Sequence, residues 1–176
     1  MYNNASSPMH TGCTYTGNKA VYAPNGNPQG GGGGGVFNNP LSDPIFTDCD
    51  FNDNESYSGG GIASEGGSPT LTNCHFNSNT ASYLGGGMII TGSGGLDITI
   101  DGCTFSGNTA DYRGGGIYYN SFDSTRALIL NDCILTNNAA GSSGGGLYIF
   151  PTALESELSS SLICSNPPDQ VDGSYA

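Results

Sequence analysis

One frame recurs along the chain and constrains everything else. It starts at Cys13, Cys49, Cys74, Cys103 and Cys133. Two positions on stand Tyr15, Phe51, Phe76, Phe105 and Leu135, and five positions on stand Asn18, Asn54, Asn79, Asn108 and Asn138. A glycine triplet follows at Gly33–Gly35, Gly59–Gly61, Gly85–Gly87, Gly114–Gly116 and Gly144–Gly146, and Val36, Ile62, Met88, Ile117 or Leu147 closes it. A worn copy surrounds Cys164. Self-similarity at a period of about 30 residues means a solenoid, in which each unit buries a narrow stripe against its neighbours.

Each unit divides into three short strands. The first ends at Phe46, Leu71, Ile100 or Leu130, with Ile98 and Leu128 two residues earlier, and a period of two marks a strand. The odd step of three to the cysteine demands a bend, and Thr47-Asp48, Thr72-Asn73, Asp101-Gly102 and Asn131-Asp132 suit one. Cys-x-Phe is the second strand, both side chains inward. The repeated Asn makes the next turn, because Asn tolerates left-handed backbone and its amide can bond its counterpart one coil away. The third strand begins in the triplet, whose entropic cost implies close backbone approach or positive φ at a corner.

The chain reads as one domain over 1–176, a β solenoid of about six coils spaced roughly 4.8 Å apart. Met1–Asn4 align with Ile117–Asn120, so the chain starts partway through a coil and leaves that edge in need of a cover. The coil at about 158–176 is irregular: Cys164 has Asn166 at the aromatic position, Asp169 at the Asn position and Pro167-Pro168 between. Cysteine spacings vary through insertions over 22–30, 38–43, 64–68, 91–95, 120–126 and 151–157, which map to particular edges of a solenoid.

Only 35% of the residues are hydrophobic, a thin core for a globule but enough for stacked coils. A net charge of −12 with three basic residues, Lys19, Arg113 and Arg126, excludes nucleic acid and anionic membranes as partners. No run of about 18 apolar residues exists to insert into a bilayer, and no signal peptide opens the chain. The six cysteines share one repeat position, so they stack in a buried column of reduced thiols. Neighbours in parallel register point the same way, a poor geometry for a disulfide torsion near 90°. A zinc site is disfavoured: no C-x-x-C pair is present, and His10 and His75 lie far apart in the sequence.

The elements Gly59-Gly60-Gly61-Ile62, Gly85-Gly86-Gly87-Met88 and Gly114-Gly115-Gly116-Ile117, with Phe76-Asn77-Ser78-Asn79 and Phe105-Ser106-Gly107-Asn108, resemble the polymorphic outer-membrane-protein type of repeat. The resemblance covers nearly the whole chain. It implies a right-handed parallel β-helix of the kind found in bacterial surface and secreted proteins, and hence an extracellular or cell-surface location. The autotransporter barrel of that family is not in this sequence.

Candidate chemistry is sparse. Pectate-lyase-like enzymes share the architecture, and elimination on an acidic polysaccharide needs a base and cations at the developing charge. Arg113 and Arg126 are isolated, and the net charge repels such a substrate. Inverting hydrolysis needs two carboxylates about 6.5–9.5 Å apart, which stacked coils can supply by coincidence. Asp48, Asp50 and Asn52 alternate, with Asp53 beside them, faintly like a calcium loop but without its sixth-position Gly. These acids read first as a solvated strand face, with a weak calcium site as the alternative; no other cofactor is expected. Tyr57, Tyr83 and Tyr112 each stand two residues before a triplet and form an outer aromatic ladder, covering the glycine backbone or binding polysaccharide. His10 takes the inward position of Leu71 and Ile100, and His75 points outward. The leading functional expectation is a non-enzymatic surface scaffold displaying loops for adhesion or assembly, with self-association by coil stacking at the N-terminal end. A carbohydrate-binding module and a polysaccharide lyase or glycoside hydrolase are the alternatives.

Overall fold

Short extended segments separated by left-handed corners can only stack, and they do. The computed structural model describes residues 1–21, 32–92, 96–122, 126–150 and 156–173; the insertion over 22–30 lies outside these. The described residues build a parallel solenoid with no helix, every strand pairing with its equivalent one coil away. A leading sheet contains Met9–Thr11, Ile45–Thr47, Thr70–Thr72, Ile98–Asp101, Leu128–Asn131 and Glu157–Ser159. A cysteine sheet contains Thr14–Thr16, Asp50–Asn52, His75–Asn77, Thr104–Ser106, Ile134–Thr136 and Leu162–Cys164. A triplet sheet of seven strands runs from Tyr2–Asn3 through Val36–Asn38, Ile62–Glu65, Met88–Gly92, Ile117–Ser121 and Leu147–Ile149 to Val171–Asp172.

The coil also has a fourth side, where three were expected. Glu55–Ser58, Thr80–Leu84, Thr109–Ala110 and Ala139–Ala140 form a short sheet between the asparagine and the glycines. Its few inward residues, such as Ala81 and Ala110, are small, so no hydrophobic alternation announces it.

Corners fall where the backbone turns left-handed. Asp48, Asn73 and Asp132 make the first corner at φ 50–53°, and Gly12 and Gly102 replace them elsewhere. At the second corner the strained residue is the one before the repeated asparagine: Asp53, Ser78 and Asn137 at φ 54–56°, or Gly17 and Gly107. The asparagines themselves are not left-handed, which corrects the role assigned to their backbone.

Inside, Tyr15, Phe51, Phe76 and Phe105 stack face to face, with ring centroids 4.8, 4.6 and 4.4 Å apart. Leu135 and Ile163 continue the column. Phe46, Leu71, Ile100 and Leu130 on the leading sheet and Val36, Ile62, Met88, Ile117 and Leu147 on the triplet sheet complete a fully buried core. The triplet sheet is buried on its other face too, where Ala63, Ile89, Tyr118 and Tyr148 form a second cluster with Phe37, Leu84 and Phe150.

Cys49, Cys74, Cys103 and Cys133 are buried, Cys13 is partly buried, and all are free thiols. Cys164 leaves the column: it pairs with Thr136, and Ser161 stands opposite Cys133. The last coil therefore keeps the frame as Ser161, Ile163 and Asn166, three residues earlier than the cysteine suggests. Each column thiol donates to the carbonyl two residues back, as Cys74 Sγ does to Thr72 at 3.4 Å and Cys103 Sγ to Asp101 at 3.3 Å. Ser161 Oγ does the same to Ser159 at 3.0 Å and accepts from Cys133 N at 3.1 Å. A hydroxyl is thus well partnered in this column. Cys103→Ser is expected to cost less than about 1 kcal/mol in a urea titration, since its new donor and acceptor are both met. Burial pushes Cys133 up to about 11 and raises Cys49. Its hydrogen bond with Cys74, and then burial, raise Cys103. Thiol titration should find these buried groups unreactive in the folded protein and all six cysteines reactive once it is denatured.

Candidate functional site

Three places could carry chemistry or recognition: the asparagine and tyrosine columns, the acidic strand, and the few cationic side chains.

The asparagine column is a continuous hydrogen-bond ladder. Asn54, Asn79, Asn108 and Asn138 are buried. Each donates both its backbone N–H and one Nδ2 proton to Oδ1 of the next: Asn54 to Asn79 at 3.0 and 2.9 Å, Asn79 to Asn108 at 3.0 and 2.9 Å, Asn108 to Asn138 at 3.0 and 2.8 Å. Asn18 enters the ladder in the same way through Asn54. The second Nδ2 proton goes back one coil to a carbonyl of the aromatic column, Phe51 for Asn79 and Phe76 for Asn108. With both Nδ2 protons of Asn54, Asn79, Asn108 and Asn138 used inside the wall, these four offer a ligand nothing.

Tyr57, Tyr83 and Tyr112 do stack on the outside, with centroids 5.4 and 5.5 Å apart and rings inclined by 27° and 6°. Their faces turn toward one another along the solenoid axis. Arg113 lies over the Tyr112 ring at 4.5 Å and over the Tyr148 ring at 4.8 Å, a cation–π contact that ties the ladder to the second cluster. Mainly ring edges are left to solvent, whereas a sugar stacks on ring faces.

The three candidate calcium acids are dispersed. Asp50 lies on its strand, while Asp48 and Asp53 occupy the corners at its two ends, both left-handed. This corrects the alternating strand face expected for Asp48. Asp50 Oδ1 meets His75 Nδ1 at 3.1 Å, and Asp48 Oδ1 accepts from Asn73 at 3.3 Å. Among the described residues, no group of three or more His, Cys, Asp or Glu side chains is placed to hold a metal ion.

The cationic side chains are committed within the protein. Lys19 pairs with Glu55 at 2.7 Å in solvent. Arg126 is only 1% exposed, which its sequence context does not signal. Its Nε donates to the Leu96 carbonyl at 2.9 Å, and its Nη2 donates to the Gly67 carbonyl and to Ser68 Oγ. Tyr119 OH in turn donates to the Arg126 carbonyl at 2.7 Å. One guanidinium thus clasps three successive coils at the corner where the loops vary in length. The available signal was narrow: a lone arginine following a strand in a chain otherwise poor in cations.

His10 faces inward as expected, stacked on Phe46 at 4.9 Å and bonded through Nδ1 to Tyr15 OH at 3.0 Å. Its burial lowers its pKa below the usual 6.5. The folded state therefore favours neutral imidazole. The stability this contributes is present above about pH 6.5 and is lost as pH falls through the lowered folded value. His10→Phe, which repeats the neighbour's residue, is expected to gain on the parent protein at about pH 5 relative to about pH 8 in paired urea titrations.

Comparison with known proteins agrees with this architecture: a family model described as right-handed beta helix region matches residues 1–167. No curated protein and no solved structure matches the chain.

Proposed function

Because the chain belongs to the right-handed β-helix family, we propose that it is a non-enzymatic scaffold of the cell surface or extracellular space, displaying loops for adhesion or end-to-end assembly. The observation that carries this reading is the engagement of every side chain able to bear positive charge. Lys19 is paired with Glu55, Arg113 lies on two tyrosine rings, Arg126 is buried among carbonyls, His10 is stacked in the core and His75 meets Asp50. Elimination or hydrolysis of a polysaccharide needs preorganised donors aimed at developing charge, and cations held against the rings, carboxylates and carbonyls of the wall are poorly placed for that. The loops between the triplet and leading sheets instead carry exposed apolar residues, Leu41 at 78%, Leu96 at 76% and Phe122 at 69%. These loops, which differ in length from coil to coil, are the variable part of the surface. The surface location rests on the likeness of the repeat to those of bacterial surface proteins.

The face-to-face packing of Tyr57, Tyr83 and Tyr112 speaks for a structural role for this ladder over sugar binding. Incubation with polygalacturonate, alginate and xylan, followed by chain-length analysis and affinity electrophoresis, tests both points. Neither cleavage nor retardation is expected. Cleavage would overturn the scaffold reading, and retardation abolished by Tyr83→Ala would replace it with carbohydrate binding.

A further inference from the structure

The outer tyrosine ladder binds no sugar on the scaffold reading, yet it holds reactive phenols in a fixed array. The Tyr112 backbone N–H donates to the Tyr83 carbonyl at 3.0 Å. On either side, Ala81 pairs with Ala110 and Leu84 with Arg113, in parallel register. Two tyrosines from the same repeat position therefore leave the wall side by side. Their rings lie 5.5 Å apart and 6° from parallel, so corresponding edges are neighbours. Tyr83 is 39% exposed. The outer edge of a tyrosine carries the hydroxyl and the two ring carbons beside it.

Those carbons are where two phenols can join. Loss of one electron and the phenolic proton leaves a phenoxyl radical, whose spin is shared between the oxygen and the carbons ortho to it. Two such radicals couple through their ortho carbons. A second phenol held in the next coil makes that step intramolecular, which favours it over encounter with another molecule. Exposed side chains change rotamer within nanoseconds, so the remaining gap closes by turning the rings on the solvent side. The choice of pair is also set by the ladder. Ser142 takes the tyrosine position one coil beyond Tyr112, and Tyr57 is tilted 27° from Tyr83.

The protein carries two contrasts. Tyr118 and Tyr148 stack as closely, at 5.2 Å and 5°, but are only 5% and 6% exposed. Burial is the main cause that pushes Tyr118 up to about 12, which opposes loss of its proton. Tyr2 is the reverse case: it is 63% exposed, but it stacks on Phe37, which has no phenol to couple. Stacking and exposure coincide at Tyr83 and Tyr112.

We propose that Tyr83 and Tyr112 are an oxidative modification site, joined by hydrogen peroxide and a peroxidase into a dityrosine that staples two successive coils. The peroxide takes one electron and one phenolic proton from each tyrosine and leaves as two waters. One carbon–carbon bond forms between the ortho positions. The hydrogen on each of these carbons moves to the phenoxyl oxygen as the ring regains its aromaticity. The product is the parent chain less two hydrogens. Each coil of a solenoid is stabilised only by its neighbours, so a covalent tie between two of them acts where cohesion is needed. The site stands whether or not the chain is a scaffold, and polysaccharide assays do not bear on it.

Dilute protein is treated with hydrogen peroxide and a peroxidase, in a mixture shown to couple a soluble tyrosine derivative. The chain should stay monomeric on denaturing electrophoresis and gain the blue fluorescence of dityrosine. Peptide mapping should find residues 83 and 112 in one linked pair, two hydrogens lighter than the sum of its parts. The thermal midpoint should rise by roughly 5 °C, by analogy with another covalent tie across a loop of this length. Tyr83→Phe keeps the ring and should lower the monomeric dityrosine about tenfold. Tyr112→Phe should do the same, which covers the case in which one variant fails to fold, and Tyr118→Phe should change nothing. No dityrosine, undiminished yield in both ladder variants, or a link mapped to Tyr118–Tyr148 or Tyr57–Tyr83 would overturn the assignment. So would oligomers joined through Tyr2 as the main product. An unchanged midpoint in the linked protein would overturn its role as a staple.

Discussion

Replacing Asn108 with Leu is expected to cost about 3–5 kcal/mol of folding stability, the range reached when a buried polar network is broken. Asn108 is fully buried at the middle of the ladder. Leucine removes the acceptor shared by the Asn79 backbone N–H and Nδ2, and a donor each to Asn138 Oδ1 and the Phe76 carbonyl. Four groups in the two flanking coils are then short of a partner, and no water replaces it inside a parallel wall. Adding apolar surface does not compensate, because the penalty belongs to the neighbours left behind. The same change at Asn18 should cost only about 1 kcal/mol, since that residue is exposed at the open end and water can reach it. Guanidinium titrations of the two variants measure the difference. Equal, small losses at both positions would mean that the ladder follows from the fold without supporting it.

How far the sequence could be read depends on how each residue announces its neighbours. Phe51, Phe76 and Phe105 recur at one spacing from a cysteine, so a shared column followed directly, and adjacent rings stack at 4.6 and 4.4 Å. The asparagine ladder was legible for the same reason. The short sheet was not, because Ala81 and Ala110 contribute too little apolar surface to make a pattern. In the last coil the cysteine itself misled: Cys164 suggested a register that Leu158, Ser161, Ile163 and Asn166 contradict, and the stacking obeys those four residues. Candidate site residues were harder still. Tyr57, Tyr83 and Tyr112 were placed correctly on one edge, but which way their rings face is decided by contacts such as Arg113 that no spacing reveals. Arg126 looked like a possible catalytic cation; its burial depends on carbonyls from two earlier coils, Gly67 and Leu96, far away in the chain.

Two glycines in neighbouring coils should lose very different amounts of stability on replacement by alanine. Gly107 has φ +66°, yet an added Cβ there meets nothing nearer than 3.7 Å. Ser78, Asp53 and Asn137 hold the equivalent corner with ordinary side chains, so Gly107→Ala should cost only about 1–2 kcal/mol, the strain of a left-handed alanine. Gly86, the middle of its triplet, lies against the next coil. A Cβ there would stand 2.4 Å from the carbonyl oxygens of both Gly115 and Thr109. Neither oxygen can move aside, because the glycine carbonyls carry the ladder between coils: Gly86 N donates to Gly114 at 3.0 Å and Gly87 N to Gly115 at 3.1 Å. Relief requires parting two coils along a whole corner, which sacrifices those hydrogen bonds and the packing of Phe105 beneath them. Gly86→Ala is therefore expected to cost about 4 kcal/mol or more, a large share of the stability of a domain this size. Thermal melts followed by circular dichroism separate the two variants. If Gly86→Ala melted no earlier than Gly107→Ala, the triplets would be corner residues alone, and close coil contact would not explain why three glycines recur.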